Sequence, residues 1–293
     1  MITNPMAARA DARHLAAAWR RLEKGGLAVE VRQTEAPGHA TELARAAVAD
    51  GVELLIAHGG DGTAMDVATA IVGTECALGL LPAGTGNILA GNLGIRRAPR
   101  AAADIILKGR RRAIDIGRLE TTTGARYFAV AAGAGFDAEL MHRTASRHKR
   151  AFGVGAYVAT ALGLATGITR AMVRIETDGG VLEARAASVL VANCAGLIPF
   201  MPPLGDHISP DDGVLDVLVL DAATLPGAAR IAWRLFLQRH GPELGITQLR
   251  ARRVHVVADP DLPVQADGEA CGRTPLTAEV VPKGLTVLVP DGV

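Results

Sequence analysis

Residues 52–63 read VELLIAHGGDGT, and residues 78–87 read LGLLPAGTGN. Each stretch is a short apolar run that ends in glycines and opens onto a helical pattern. Residues 52–57 predict a buried parallel strand, because the run is short, apolar and not alternating. The glycines behind it, Gly59, Gly60 and Gly62, permit positive φ and close approach of a ligand. Thr63 predicts an N-cap for a helix over residues 64–72. The second stretch repeats the plan, with a strand over 78–81, a turn through Gly84, Thr85, Gly86 and Asn87, and a helix over 88–93. Free N–H groups and the dipole at a helix start attract anionic oxygens. Two such turns in succession predict a nucleotide site.

Upstream of these turns the pattern is also helix and strand in alternation. Residues 11–24 place Leu15, Ala18, Trp19 and Leu22 on one side of a helix that Gly25-Gly26 ends. Residues 27–32 alternate as a strand and 39–50 form an Ala-rich helix. Repeated units of this kind predict a mostly parallel sheet with helices on both faces. Ligands of such sheets sit outside the carboxyl ends of the strands, where both glycine turns fall.

From about residue 119 the pattern changes. Strands are predicted over 127–132, 172–177, 181–192, 214–220 and 253–258. Two more, over 277–281 and 285–289, are joined by Pro282-Lys283-Gly284, and Asp178-Gly179-Gly180 marks a hairpin. Many short strands at this spacing predict a β-sandwich. Helices are predicted over 152–166 and 225–239, and no internal repeat or low-complexity linker is visible.

Composition excludes several classes. Hydrophobic residues make up 49% of the 293 but aromatics only 3%, so Ala, Val, Leu and Ile must build the core. Lys+Arg 31 against Asp+Glu 30 leaves a formal charge of +1, and no global field announces a nucleic-acid partner. Cys76, Cys194 and Cys271 show neither metal nor disulfide spacing, which predicts a reduced, cytoplasmic compartment. No signal peptide is read ahead of Asn4. The uncharged stretch 151–169 approaches the length of a spanning helix, but its Gly and Thr content argues against insertion. A soluble protein is expected.

The pair GGDGT and PAGTGN resembles the lipid kinase family of diacylglycerol and sphingosine kinases, especially its soluble bacterial members. Further matches are Asn4-Pro5, Asp115-Ile116-Gly117, Gly133-Ala134-Gly135-Phe136-Asp137, Asp212-Gly213-Val214-Leu215-Asp216 and Asp267-Gly268-Glu269. They keep the family's order over nearly the whole chain. GGDGT alone is less specific, because NAD kinases carry it and phosphofructokinases carry a relative of it. The resemblance implies an α/β + β fold. An NAD kinase/diacylglycerol kinase-like α/β domain with a parallel sheet would cover 1–118. A β-sandwich lipid-binding domain would cover 119–283, and a final strand, about 284–293, would return to the first domain.

Its implied chemistry is transfer of the ATP γ-phosphoryl group to a lipid hydroxyl. Gly59, Gly60, Gly62 and Thr63 would cradle phosphates, with Gly84, Thr85 and Asn87 in the second turn and Asn4 and Thr34 bordering the nucleotide. There is no G-x-x-x-x-G-K-[ST], so the chain is not a P-loop enzyme. Asp61 would repel phosphates unless a cation lay between them, which points to Mg2+. By resemblance Glu269 would act as general base and Asp115 would complete the acidic network. A structural magnesium would be held by Asp212 and the carbonyls of Ser209 and Val214. On spacing alone humbler readings remain open. The glycines would serve tight βα turns, and Asp61 a turn bonded to its own backbone. Asp115 would cap a strand-end N–H, Asp212 would sit in an ordinary turn, and Glu269 would be a solvated glutamate after a hairpin.

A lipid acceptor needs an apolar entry, and residues 196–204 (GLIPFMPPL) and 152–166 are candidates. Basic residues 143–150 and the helix over 225–239, with Trp233, Arg230, Arg234 and Arg239, are candidates for contact with an anionic membrane surface. The expectation is therefore a cytoplasmic, peripherally membrane-associated enzyme, with oligomerisation open. Departures from the family pattern are a first strand shortened to Met1-Ile2-Thr3, Ala8 for glycine, Met65-Asp66 for Asn-Glu, and Ile88 for aspartate. They leave two rival readings: an NAD kinase-like nucleotide kinase, or a lipid- or nucleotide-binding protein that has lost catalysis.

Overall fold

The computed structural model describes residues 1–7, 12–135, 169–197, 203–205, 207–222, 224–237 and 244–292. The predicted helix over 152–166, the basic residues 143–150, Ala8, Phe136, Asp137 and most of the 196–204 loop's tip lie outside the described residues. The chain divides into two compact units, one built on Met1–Ile116 with Pro282–Val293 and one on Gly117–Leu197 with Met201–Val281. Two strands, β5 (Arg110–Thr121) and β16 (Leu276–Val289), each begin in one unit and end in the other.

The first unit is an α/β layer structure. Its elements are β1 (Ile2–Thr3), α1 (Ala12–Lys24), β2 (Arg32–Gln33), α2 (His39–Ala49), β3 (Leu54–Gly59), α3 (Asp61–Ile71), β4 (Ala77–Pro82), α4 (Ile88–Asn92) and α5 (Pro99–Lys108). The strands run in the order β2-β1-β3-β4-β16, and every pair in that row is parallel. Helix α1 packs with α5, and α2 packs with α3. β3 and β4 are buried along almost their whole length, as central strands covered on both faces must be. β2 is much shorter than the predicted strand over 27–32. β1 offers only Ile2 and Thr3, so β2 finds partners for Arg32 and Gln33 alone. Helix α5 escaped the sequence reading, although Pro99 at its first turn is a start signal.

The second unit holds antiparallel sheets. One is six-stranded, in the order β12 (Ile246–Ala251), β11 (Leu215–Leu220), β10 (Ser188–Ala192), β7 (Ala131–Gly135), β14 (Pro263–Ala266), β15 (Glu269–Arg273). Facing strands are β13 (Arg253–Asp259), β8 (Ala171–Thr177) and β9 (Gly180–Ala186), joined to the first half of β16, while β5 pairs with β6 (Gly124–Phe128). Residues 171–175 alternate buried and exposed, so β8 presents Ala171, Val173 and Ile175 to the core. Helix α6 (Leu225–Phe236) follows β11.

Three sequence expectations change here. Residues 181–192 form two strands in two different sheets, divided at Ala187, whose N–H bonds to the Leu220 carbonyl. The first strand alternates and the second is buried throughout, so the change of pattern marks the crossing. Residues 127–132 likewise straddle a break between β6 and β7. Conversely, 277–281 and 285–289 are one continuous strand, bent where Lys283 takes φ 52° and its N–H is held by Asp115 Oδ1 at 2.8 Å.

Phe128 is fully buried in the sandwich core and lies opposite Gly117 in the β5–β6 register. A Cβ at position 117 would run into the Phe128 ring, so the glycine there makes room for the largest fully buried side chain among the described residues. Gly117→Ala is expected to destabilise the protein by about 1–3 kcal/mol through overpacking, and Phe128→Leu in the same chain to recover part of it. Urea midpoints of the three variants test this; a Gly117→Ala protein as stable as the parent contradicts it.

Candidate active site

The parallel register brings the predicted nucleotide residues to one end of one sheet. Thr3 pairs with both Gln33 and His58, and Gly59 pairs with Pro82, so the strands end almost level. Asn4, Thr34, Gly60 and Ala83 are therefore the first residues beyond four neighbouring strands. Asn4 is fixed by its N–H to the His58 carbonyl at 3.0 Å and by its side-chain amide to Thr63 Oγ1 at 3.3 Å. Thr34 is fixed by its N–H to the Thr3 carbonyl at 2.9 Å.

The first turn differs from the expectation in two respects. Gly60, not Thr63, is the N-cap; helix α3 begins at Asp61, and Ala64 N–H closes the first helical bond to the Gly60 carbonyl at 3.0 Å. Thr63 sits inside the first turn, buried at 5% exposure. The strand reverses direction at an extended Gly60 (φ −91°, ψ −170°), so the helix starts three residues earlier than a threonine cap would set it. The first-turn N–H of Gly62 and Thr63 consequently have no acceptor within the helix. Nor do Gly59, Gly60, Gly62, Gly84 or Gly86 adopt positive φ; in the second turn that conformation belongs to Asn87, at 51°. The glycines are required by packing. A Cβ on Gly84 would lie 2.5 Å from Gly60 Cα, one on Gly86 2.8 Å from Asp61 Oδ2, and one on Gly59 2.5 Å from Thr63 Oγ1. The two turns touch backbone to backbone. The cavity between them, bordered by Gly60, Asp61, Pro82 and Asn87, is about 10 Å3, room for a single water at most. The space between the turns is too small for a phosphate group.

Asp61 ties the turns together. Its Oδ1 accepts Leu89 N–H at 3.2 Å, and the nearby N–H groups of Ile88, Asn87 and its own backbone also favour its charge. These are the first-turn donors of α4, so the second turn is not a second, independent anion cradle. Burial pushes the Asp61 carboxyl above its ordinary value, and the backbone N–H groups offset this only in part. Asn87 closes the second turn on itself, accepting Gly84 N–H at 2.9 Å and donating to the Gly84 carbonyl at 2.7 Å. Thr85 is exposed at the tip of that turn. Asp115, 1% exposed, uses one oxygen on the Lys283 N–H, the strand-holding part that spacing alone allowed it.

Glu269 belongs to the second unit. Asp267 (φ 46°) and Gly268 (φ 82°) make the two-residue turn between β14 and β15, and Glu269 is the first residue after it. Its side chain is exposed and its Oε2 accepts from Arg126 Nη2 at 2.7 Å. Asp267 supports the turn. Its carboxylate accepts the N–H groups of Ala129, Val130 and Ala131 at 2.8, 2.9 and 3.0 Å, across the break between β6 and β7.

The turn expected to hold a structural metal precedes β11. Asp212 Oδ1 accepts Val214 N–H at 3.2 Å, its Oδ2 pairs with Arg250, and Ser209 Oγ donates to Asp211 Oδ1 at 2.6 Å. Among the described residues no three His, Cys, Asp or Glu side chains converge, so a cation at this turn would depend on the Asp212 carboxylate and main-chain carbonyls. Both Asp212 oxygens are already engaged, one by an N–H dipole and one by a guanidinium, and neither is presented to a hard cation as an open ligand. The donor set does not fit a divalent ion.

Comparison with known proteins agrees with this geometry. The family model for the diacylglycerol kinase catalytic domain matches residues 1–119, and that for the YegS C-terminal NAD kinase beta sandwich-like domain matches residues 130–289. The chain belongs to the diacylglycerol kinase family. It is 32% identical over 258 residues to a diacylglycerol kinase of Mycobacterium tuberculosis, covering 86% of this chain and 81% of that one. It is 31% identical over 281 residues to a diacylglycerol kinase of Bacillus subtilis, covering 94% and 90%. A crystal structure from Bacillus anthracis str. Sterne, provisionally named a diacylglycerol kinase, superposes with a TM-score of 0.84 at 25% identity. That likeness covers 100% of this chain and 95% of that one. The protein is thus a lipid kinase by family, and among the described residues no helix is long and apolar enough to cross a membrane.

Some supporting residues of this diacylglycerol kinase-like site carry no sequence signal. Arg97 donates to the Gly86 carbonyl at 2.6 Å and so latches the second turn, yet it lies in no motif. Arg126 lies on β6, which pairs with β5 and not with β15, so no strand register announces its bond to Glu269; Asp267 sits inside the quoted Asp-Gly-Glu and was read only as part of a turn.

Two consequences can be measured. Gly84→Ala should force the turns apart, lowering stability by about 1–3 kcal/mol and weakening nucleotide binding; calorimetric titration with unchanged affinity would contradict it. Asp61→Asn keeps an acceptor for α4 but removes a charge that burial opposes. Because the folded pKa is raised, that opposition is absent at acid pH and grows as pH rises through it. In nucleotide-free protein the variant should match the parent at acid pH and melt higher at neutral pH. A gap that is constant or reversed across this range would refute the account.

Proposed function

We propose that the protein transfers the γ-phosphoryl group of MgATP to a primary hydroxyl of diacylglycerol or a related lipid. The observation that carries this reading is the meeting of Asn4, Thr34, the Gly62 and Thr63 N–H groups and the second turn at the level ends of four parallel strands. That is a surface for polyphosphate, and the family is one of lipid kinases.

In this reading the N-terminal dipole of α3 and its N–H groups hold the phosphates, with the hydroxyl of Thr85 added from the second turn. Gly59, Gly60 and Gly84 keep side chains out of the way, and Asp61 fixes the two turns relative to each other. Magnesium carried by the nucleotide would supply charge screening at the phosphates. Glu269 is assigned as general base. It takes the acceptor's proton while the lipid oxygen forms a bond to the γ-phosphorus, and the bond to the bridging oxygen breaks to release ADP. Arg126 orients Glu269, and Asp115 is retained as part of the acidic network. The lipid is met at a membrane surface from the cytoplasmic side, with exposed Trp233 on α6 beside Arg230 as the contact.

Labelled ATP incubated with magnesium and diacylglycerol, phosphatidylglycerol, ceramide, sphingosine or NAD tests the reading. Label on diacylglycerol or a related glycerolipid is expected. Label on NAD alone would establish the nucleotide kinase alternative, and nucleotide binding without transfer would establish a binding protein. Glu269→Gln should lower kcat by about 10²–10⁴-fold, the contribution of a positioned base, with ATP affinity preserved. Unchanged turnover would remove Glu269 from the reaction.

A further inference from the structure

Three acids, Asp211, Asp212 and Asp216, lie within six residues at the start of β11, and the third of them is buried, with its side chain 1% exposed. Such a concentration of negative charge at a sheet entrance requires a counter-charge. The register supplies one, because Arg250 on β12 lies directly opposite Asp216 on β11. Its guanidinium spans both carboxylates, with Nη2 on Asp212 Oδ2 and Nε 3.5 Å from Asp216 Oδ1. Asp216 Oδ1 further accepts from Gln248 Nε2 at 2.9 Å and lies 3.4 Å from His207 Nε2.

We propose that Arg250 is this protein's built-in replacement for a structural divalent cation at the 209–216 turn, so the turn folds and holds its shape without metal. The argument is geometric. A magnesium ion needs oxygen ligands at about 2.0–2.1 Å in near-octahedral order. At Asp212 Oδ2 it would have to displace the guanidinium, and at Oδ1 it would meet the positive end of the Val214 N–H. Arg is suited to the substitution, since its planar fork reaches two carboxylates at once and never loses its charge. Asp216 Oδ2 is enclosed without a hydrogen-bond partner among the described residues.

The test uses the nucleotide-free full chain, so that magnesium carried by ATP plays no part. Thermal melting of the parent protein should be the same in EDTA, in millimolar Mg2+ and in millimolar Ca2+, to within about a degree, because a ligand that does not bind the native state shifts nothing. Arg250→Met should melt lower and become cation-responsive, regaining stability in Mg2+ or Ca2+, and Asp212→Asn in that background should abolish the response. Arg250→Lys should keep part of the parent's indifference. A parent protein that melts higher in Mg2+ than in EDTA, with the difference lost in Asp212→Asn, overturns the proposal. So does an Arg250→Met protein as stable as the parent and equally indifferent to cations. Should Arg250→Met fail to fold, equilibrium dialysis of the parent against Mn2+ decides alone: an ion retained by the parent and lost in Asp212→Asn overturns it, and none retained supports it.

Discussion

A buried carboxylate tying two glycine turns together is the constraint on which the first unit's active surface depends. Asp61 begins α3 and at the same time caps the start of α4, so one anion organises two helix ends. The arrangement works only because Gly60 and Gly84 meet without side chains and Gly86 leaves space for the carboxylate. Desolvation opposes the charge, and the backbone N–H groups return only part of what is lost. A residue held at such a disadvantage is characteristic of positions kept for function and not for stability. It also divides the labour between the turns: the N–H groups of Gly62 and Thr63 at α3 have no acceptor within the helix, while the start of α4 donates to Asp61.

The sequence reading recovered the α/β unit and the sandwich because the signals there are local. Buried central strands read as unbroken apolar runs, as in residues 54–59 and 77–82, and β8 reads as strict alternation. It failed where structure depends on a partner. The length of β2 is set by the two residues of β1, which no pattern in residues 27–32 reveals. The division of 181–192 at Ala187 is a change of sheet, and the continuity of β16 across Pro282-Lys283-Gly284 rests on a hydrogen bond from a residue 168 positions away. The site behaved likewise. GGDGT and PAGTGN located both turns, but positive φ was assigned to the glycines when close packing is what requires them. Arg97 was invisible because its role is a single bond to a carbonyl.

Asp267 shows how the second unit prepares a carboxylate for presentation. Asp-Gly suits a two-residue turn with both φ positive, and here the aspartate side chain is also the acceptor for three successive N–H groups. Those donors come from the break between β6 and β7, where the ladder leaves them unmatched. Turn and break therefore satisfy each other, and Glu269 emerges from a fixed point. Arg126, at 2.7 Å, then limits where the glutamate can point. A carboxylate on a loop would need ordering before it could act; here the order is made on folding.

Seen by charge, the two units solve the same difficulty in the same way. Each concentrates acid where a phosphotransferase would be expected to rely on metal, and each satisfies most of it internally: Asp61 and Asp267 with backbone N–H groups, Asp212 and Glu269 with arginines. The absence of a Walker lysine then has a physical sense. A lysine reaching into the first turn would have paired with Asp61 and pulled it from α4, loosening the contact between Gly60 and Gly84 that sets the surface. Backbone donors cannot migrate in this way. A turn built on them keeps its shape without any mobile charge.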